Sequence, residues 1–573
     1  MADVEELLSR RLGPAFDAVA GESVSPAVRR SQHADFQADG ALAVGRKLGI
    51  SPREAAERVL RQADLSDLCS RVEVTGPGFI SLTLADEVLG GLVAEIAGDD
   101  RLGSPLTDAP ETVTVDYSAP NAAKEMHVGH LRSTIIGDAV VRILHWRGHT
   151  VIRQNHIGEW GTPFGMLIEH LIDIGETEAA QELAVGDLNR FYQAARKKFD
   201  ADDAFKDRAR GRVVLLQSGD PDTLRLWEIL VAESKAYFLT VYDRLGVLLN
   251  EQDFFGESFY NDQLQSVVDE LDRLGLLRLS DGALCVFPAG FKNRQGEPLP
   301  LIVQKTDGGF GYAATDLATI RRRLRVLGAT RLLYVVGLPQ RQHLEMIFET
   351  AREAGWLVPP ARAEHVGHGS ILGEDGKILR TRAGASVKLI DLLDEAIARA
   401  TAIVAEKNPA LDEQARAHVA QAVGIGAVKY ADLSTQRSKD YVFDYDRMLS
   451  FDGNTAPYLQ YAHARICSIF RRSRLEPPDA KHVIVAEPAE RALAIELLAF
   501  ARVVTEVAGD LECHRLAQYL YGLASAFTDF YERCPVLRAE GEVRTSRLVL
   551  CNLTARTLKL GLGLLGIAAP DQM

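Results

Sequence analysis

Cysteine is scarce in this chain of 573 residues. There are six, Cys69, Cys285, Cys467, Cys513, Cys534 and Cys551, and none form a Cys-x-x-Cys pair. That spacing argues against a disulfide scaffold and fits a reduced, cytoplasmic setting. No apolar run approaches the ~18 residues needed to span a bilayer. The opening Met1-Ala-Asp-Val-Glu-Glu is acidic and lacks a signal-peptide core, so neither export nor a membrane partner is expected. A Walker-type phosphate loop is also missing, because Gly376-Lys377 is followed by Ile378 and lacks the upstream glycine. No His-Glu-x-x-His helix or internal repeat is evident, and no protein-held metal is expected.

What is present is ordinary globular material, 47% hydrophobic and 25% charged. At ~150 residues per domain the length implies about three to four domains. Residues 1–100 read as a small α/β unit. It opens on a helical pattern (Val4, Leu7, Leu8, Leu12) and closes on a strand–Gly76-Pro77-Gly78–strand hairpin up to Leu84. Residues 110–390 alternate strand and helix signals: a strand at Thr112–Tyr117, a helix at Leu131–Trp146 and a strand at Thr150–Arg153. After a polar helical insertion at about 165–280, the sheet is expected to resume with Leu301–Val303 and Leu332–Val336, separated by a helix from Leu317 to Leu327. This is the pattern of a doubly wound, Rossmann-type α/β fold. From 391 to 573 the chain reads as all helix, with amphipathic runs at 390–405, 412–430, 456–472, 488–508, 514–533 and 543–565.

The chemistry concentrates at the first strand-to-helix junction, Asp116-Tyr-Ser-Ala-Pro-Asn-Ala-Ala-Lys-Glu-Met-His-Val-Gly-His130. His127 and His130, three residues apart, share one helix face. A helix start at a sheet edge offers free N–H groups and a positive dipole end to an anion. The pair reads as a metal site, as caps of a buried helix, or as donors to a nucleotide phosphate. The phosphate reading is favoured, with Gly129 letting the ligand approach the backbone.

His127-Val-Gly-His130 resembles the His-Ile-Gly-His signature of class I aminoacyl-tRNA synthetases. The flanking Ser118–Lys124 and Leu131–Asp138 are similar to arginyl-tRNA synthetases specifically. The likeness continues in Asn155–Gly161, Tyr312–Leu317, Lys429–Leu433 and Asp446–Arg465, and through the last hundred or so residues. Blocks of this length in this order are far more specific than the four-residue signature.

The resemblance implies an ATP-dependent ligase that joins L-arginine to tRNA(Arg) through an arginyl-adenylate, with Mg2+ accompanying ATP. His127 and His130 are expected to stabilise the reacting phosphate, and Gly129 to lie under the adenosine. The family's Lys-Met-Ser-Lys-Ser loop is absent. In its place stands Leu372-Gly-Glu-Asp-Gly-Lys-Ile-Leu-Arg-Thr-Arg-Ala-Gly384, where Lys377, Arg380 and Arg382 would meet pyrophosphate. Many arginyl enzymes carry a lysine just before the histidines instead, and Lys124 matches it. His156, His368 and Gly369 are weaker expectations for ribose and adenine.

For arginine, the resemblance implies Asp116 and Asp316 at the guanidinium, Tyr312 beside it, and Asn121 and Gln340 at the α-amino and carboxylate end. Planar, permanently charged guanidinium is best held by carboxylates. Glu159, Pro163 and Arg380 depart from common family residues. In the helical unit, implied to be the anticodon-binding domain, Tyr458, Gln460, Tyr461, Tyr519 and Tyr531 are expected to contact tRNA, with His463 beside them. The net charge of −14 does not exclude tRNA, since affinity follows local phosphate neutralisation. Basic clusters such as Arg321–Arg325 and Arg471–Arg474 serve that role or are solvated helix faces. The enzyme is expected to act as a monomer. The alternative is a non-catalytic tRNA-binding or arginine-sensing paralogue.

Overall fold

A computed structural model describes residues 3–176, 188–380, 386–474, 476–478 and 482–573. Its centre is a four-stranded, wholly parallel sheet in the order Arg362–His365, Arg331–Tyr334, Thr112–Asp116, Thr150–Gln154. Val113 and Val115 are fully buried, as are Leu332 and Leu333, as strands covered on both faces require. From Thr112–Asp116 the chain passes through the helix Val128–Trp146 to one neighbour, then later returns on the other side of the first strand. The order therefore reverses between Thr112–Asp116 and Arg331–Tyr334. A crevice opens at the carboxyl ends of those two strands, the usual ligand position in such sheets.

One expected strand lies elsewhere. Leu301–Gln304 does not join the parallel sheet but closes an antiparallel meander with Leu277–Ser280 and Ala283–Val286. The burial pattern explains this. Leu301 and Val303 are buried while Ile302 is 47% exposed, and such alternation belongs to a one-sided antiparallel strand. The insertion before it is helical, with Thr162–Ile174, Leu188–Ala201, Asp203–Ser218 and Pro221–Leu245 around a core that includes Phe164, Phe191 and Phe205.

The N-terminal unit is an antiparallel sheet that includes the expected hairpin Cys69–Thr75 and Phe79–Leu84, packed with three helices. Two short strands, Val28–Arg30 and Phe36–Ala38, had no sequence signal of their own. The helical unit follows the amphipathic runs closely, except that 488–508 is broken at Ala499 into Pro488–Leu498 and Phe500–Asp510. Arg491 ties the outer units together, pairing with Asp35 at 2.5 Å and donating to the Leu84 carbonyl at 2.7 Å. Among the described residues no helix is long and apolar enough to cross a membrane.

Candidate active site

The helix Val128–Trp146 begins at His127, whose extended backbone (φ −116°, ψ 171°) makes it the N-cap. The two histidines cap the helix reciprocally. His127 Nδ1 accepts from the Gly129 N–H, and His130 Nδ1 accepts from the His127 N–H, both at 3.1 Å. An Nδ1 that accepts must be unprotonated, so each neutral ring carries its proton on Nε2. Burial holds both rings neutral. His130 is pushed down to about 3, by burial first and then by His127, and His127 is lowered by burial and by Lys124. The rings stand 4.1 Å apart. Gly129 is needed because a Cβ there would come within 2.8 Å of the His127 ring. The pair thus offers two neutral Nε2–H donors at a helix start whose first amides are already bonded, Val128 to the Val387 carbonyl and Gly129 to His127 Nδ1.

The preceding loop is held in strained backbone. Ser118, Ala119 and Ala123 have φ of 73°, 46° and 58°, uncommon for residues with a Cβ. Buried polar groups fix it. The Ser118 N–H donates to Ser133 Oγ, the Ala119 N–H to Asn155 Oδ1 and the Ala123 N–H to Ser234 Oγ, at 2.8–3.0 Å. Tyr242 OH bonds both Ser118 and Asn155. Ser234 and Tyr242 come from the insertion helix Pro221–Leu245, so the insertion braces the signature loop. Sequence reasoning missed both, and nothing distinguishes them locally from other helix residues. The loop delivers Asn121, exposed, and Lys124, whose Nζ lies 4.5 Å from the Tyr192 ring centroid.

Asn121 and Lys124 line a cavity of about 750 Å3, together with Gly158, Trp160, Glu257 and Tyr312. Tyr312 is 77% exposed at the start of the helix Tyr312–Arg325. Asp316, one turn on, holds His343 Nε2 at 2.6 Å, and that hydrogen bond raises the imidazole pKa. Glu257 was not foreseen, although an acid flanked by aromatics in Phe254-Phe-Gly-Glu-Ser-Phe-Tyr260 was a usable signal. Its carboxyl is pushed up to about 7 by burial and then by Glu159, with Asp316 adding to the rise. Glu159 is also raised to about 7, chiefly by burial, and binds Ser258 Oγ at 2.6 Å.

Two residues expected on the arginine side stand apart from the cavity lining. Asp116 does hold a guanidinium, but it is the protein's own: its Oδ2 lies 2.7 Å from Nη2 of the fully buried Arg323. Gln340 is exposed on the short turn Leu338–Gln340, outside the cavity wall.

Residues 366–380 follow the outer strand Arg362–His365 of the parallel sheet. His368 is buried with Nδ1 3.0 Å from the Gly369 carbonyl, is lowered to about 4 by burial, and its Nε2 has no partner among the described residues. A Cβ at Gly369 would stand 2.5 Å from Asp440 Oδ1. Lys377 and Arg380 are exposed on a turn at Leu372–Ile378 and just beyond it, while Arg382 and Gly384 lie outside the described residues. The chain then returns to the signature. The Val128 N–H donates to Val387 O and the Leu389 N–H to Met126 O, and Lys388 pairs with Glu125 at 2.8 Å. His156 bonds the Phe255 carbonyl at 3.0 Å.

The separated sequence blocks meet behind this site. Arg132 of the signature helix forms a buried pair with Asp432 at 3.1 Å, and Lys429 donates to the Leu245 carbonyl at 3.0 Å. The family model for class I tRNA synthetases (R), catalytic domain, matches residues 93–445. The arginyl tRNA synthetase N terminal domain matches 2–84, and the DALR anticodon binding domain matches 459–573. The chain belongs to the arginyl-tRNA synthetases. Among curated relatives it is 56% identical to an arginine–tRNA ligase of Thermobifida fusca, covering 100% of both chains. A second, of Frankia casuarinae, is 54% identical over 98% of this chain and 97% of the relative. Among solved structures it superposes on arginyl-tRNA synthetase of Plasmodium falciparum with TM-score 0.85, at 29% identity over 100% and 99% of the two chains. The Thermus thermophilus enzyme gives 0.84, at 26% identity over 100% of both.

In the family's helical domain the structure sorts the expected tRNA contacts. Tyr461 is 45% exposed, and Tyr458 and Tyr531 are half-buried, the latter under Arg465 at 4.6 Å. Gln460 is fully buried and its amide donates to the Ala422 and Ala568 carbonyls. Tyr519 is buried with its hydroxyl on the Glu496 carbonyl, and His463 is 2% exposed. These three face the core rather than a tRNA surface. Helical spacing of polar residues did not distinguish a solvated face from satisfied core positions.

Proposed function

We propose that the histidine pair, Lys124 and the adjoining cavity carry out arginine charging. The overall reaction is the ATP-dependent ligation of L-arginine to tRNA(Arg). The arginine carboxylate attacks the α-phosphate of ATP and pyrophosphate leaves; a ribose hydroxyl of the terminal tRNA adenosine then attacks the mixed anhydride. Neither step needs a covalent enzyme intermediate, so the protein's work is alignment and stabilisation of charge.

In this reading His127 and His130 donate Nε2–H bonds to phosphate oxygens over Gly129. Lys124 supplies the cation to the leaving pyrophosphate, with Lys377 and Arg380 approaching from their exposed turn. His368 and Gly369 face adenosine. Asp316, Tyr312 and Glu257 receive the guanidinium, and Asn121 the α-amino end. Asp116 acts one step back, by holding Arg323 beneath the crevice. Tyr458, Tyr461 and Tyr531 meet tRNA. The observation that carries this reading is that both Nδ1 atoms are committed to backbone N–H groups, which leaves each histidine as a phosphate donor.

Mg2+ travels with ATP. Among the described residues no group of three metal-ligating side chains lies beside the histidines, so the triphosphate itself would hold the ion. We place the enzyme in the cytoplasm as a monomer, with units at 1–100, 110–390 (insertion near 165–280) and 391–573. Aminoacylation of tRNA(Arg) across the amino acids tests the function, and arginine alone should be charged. Failure to charge arginine while tRNA still binds would instead mark a non-catalytic paralogue.

A further inference from the structure

Far from the histidine pair, three side chains of the helical unit converge at one point. His463 and Cys467 lie four residues apart on the helix Ala456–Ser473, hence on one face. Asp571 reaches them from the segment after the helix Gly541–Leu564. Cys467 Sγ is 3.5 Å from His463 Nε2, and Asp571 Oδ1 is 3.1 Å from the same nitrogen. All three ligand atoms lie within 4.8 Å of one another.

The tautomer makes this arrangement informative. His463 Nδ1 is 3.1 Å from the Ala555 carbonyl, which can only accept, so Nδ1 carries a proton. In the neutral ring Nε2 then presents a lone pair, and it faces a carboxylate oxygen. Two lone pairs at 3.1 Å repel unless something electropositive sits between them: a second proton or a metal ion. A backbone carbonyl on the far nitrogen is also the usual outer support of a metal-bound histidine. With metal–sulfur near 2.3 Å and metal–nitrogen near 2.0–2.1 Å, tetrahedral ligands stand about 3.5 Å apart, which is the separation seen here.

We propose that His463, Cys467 and Asp571 bind a thiophilic divalent cation of the Zn2+ kind. Nitrogen, sulfur and oxygen donors suit such an ion better than Mg2+ or Ca2+. His463 is buried, whereas the Asp571 side chain is 61% exposed and gives both an entry path and room for water as fourth ligand. On binding, the Cys467 S–H releases its proton to solvent as the sulfur–metal bond forms. Lys559 Nζ, 3.0 Å from Asp571 Oδ1, moves away from that oxygen; the residue is 57% exposed and its stem is flexible. The ion would clasp the segment already held by Gln460 on the Ala568 carbonyl and Asn408 on the Met573 carbonyl. The site would thus lock the helical unit, not the chemistry.

The test uses the full chain, stripped with chelator and titrated with Co2+ followed by Zn2+. The expected result is tetrahedral cobalt absorption with a thiolate-to-cobalt band, lost when Zn2+ is added. The band should vanish in Cys467→Ser, and Asp571→Asn should bind cobalt about tenfold or more weakly. Unchanged circular dichroism in both variants separates lost ligation from lost folding. A wild-type protein with no thiolate band, or a band that persists in Cys467→Ser, would overturn the proposal. His463 would then be a hydrogen-bond partner of Asp571 only.

Discussion

The histidine site and the arginine-side cavity share one loop yet are built in opposite ways. The phosphate side is local. Residues 117–130 supply both histidines, Lys124 and Gly129, and each histidine cap is satisfied within three residues. The proposed arginine side draws on Asn121, Glu257, Tyr312 and Asp316, on elements far apart in the chain. Its acids are raised or already engaged: Glu257 and Glu159 sit near pKa 7, and Asp316 holds His343. On the proposed reading a phosphate would meet a finished set of donors, whereas a guanidinium would meet desolvated carboxyls that gain from its charge.

Damage to the finished half should cost most. His130→Ala removes an Nε2 donor together with a helix cap, and the rate of adenylate formation should fall by on the order of 10²–10³. Stopped-flow measurement at saturating arginine checks this. A loss confined to arginine KM would instead place His130 on the amino-acid side.

The dispersed half should fail in affinity. Asp316→Asn should raise the KM for arginine by about 10- to 100-fold, the range for losing a charged hydrogen-bond partner, with kcat less affected. An unchanged arginine KM would remove Asp316 from the guanidinium site.

The smallest effect concerns pH. Glu159 has its folded pKa raised from about 4.5 to about 7, so the native state holds its proton more tightly than the unfolded chain. That contribution to stability is fully present below pH 4.5 and lost as pH rises through 7. Glu257 acts with the same sign. Glu159→Gln should therefore shift Tm upward relative to wild type at pH 8 more than at pH 5. Parallel Tm curves across that range would contradict the buried, neutral assignment.

The same contrast explains what was legible in the sequence. The parallel strands, the signature helix and most C-terminal helices follow periodicity, because burial on one or both faces writes a regular apolar pattern. His127 and His130 were legible because their partners are neighbours in the chain. Leu301–Gln304 was misplaced, since a short apolar run does not say which sheet it joins. Glu257, Ser234 and Tyr242 were missed because their roles arise only when the insertion folds against the loop after Asp116. Gln460 and Tyr519 show the reverse error: polar groups expected at a surface are satisfied by buried carbonyls.

The central claim is that the charge normally brought by a lysine-rich loop comes here from Lys124, beside the histidines. The most direct measurement is pyrophosphate exchange by Lys124→Ala with arginine, ATP and tRNA(Arg), paired with tRNA binding by the same preparation. The account predicts exchange reduced by roughly 10²–10³ with tRNA binding retained. Equal losses in exchange and in tRNA binding, or exchange at the wild-type rate, would contradict it.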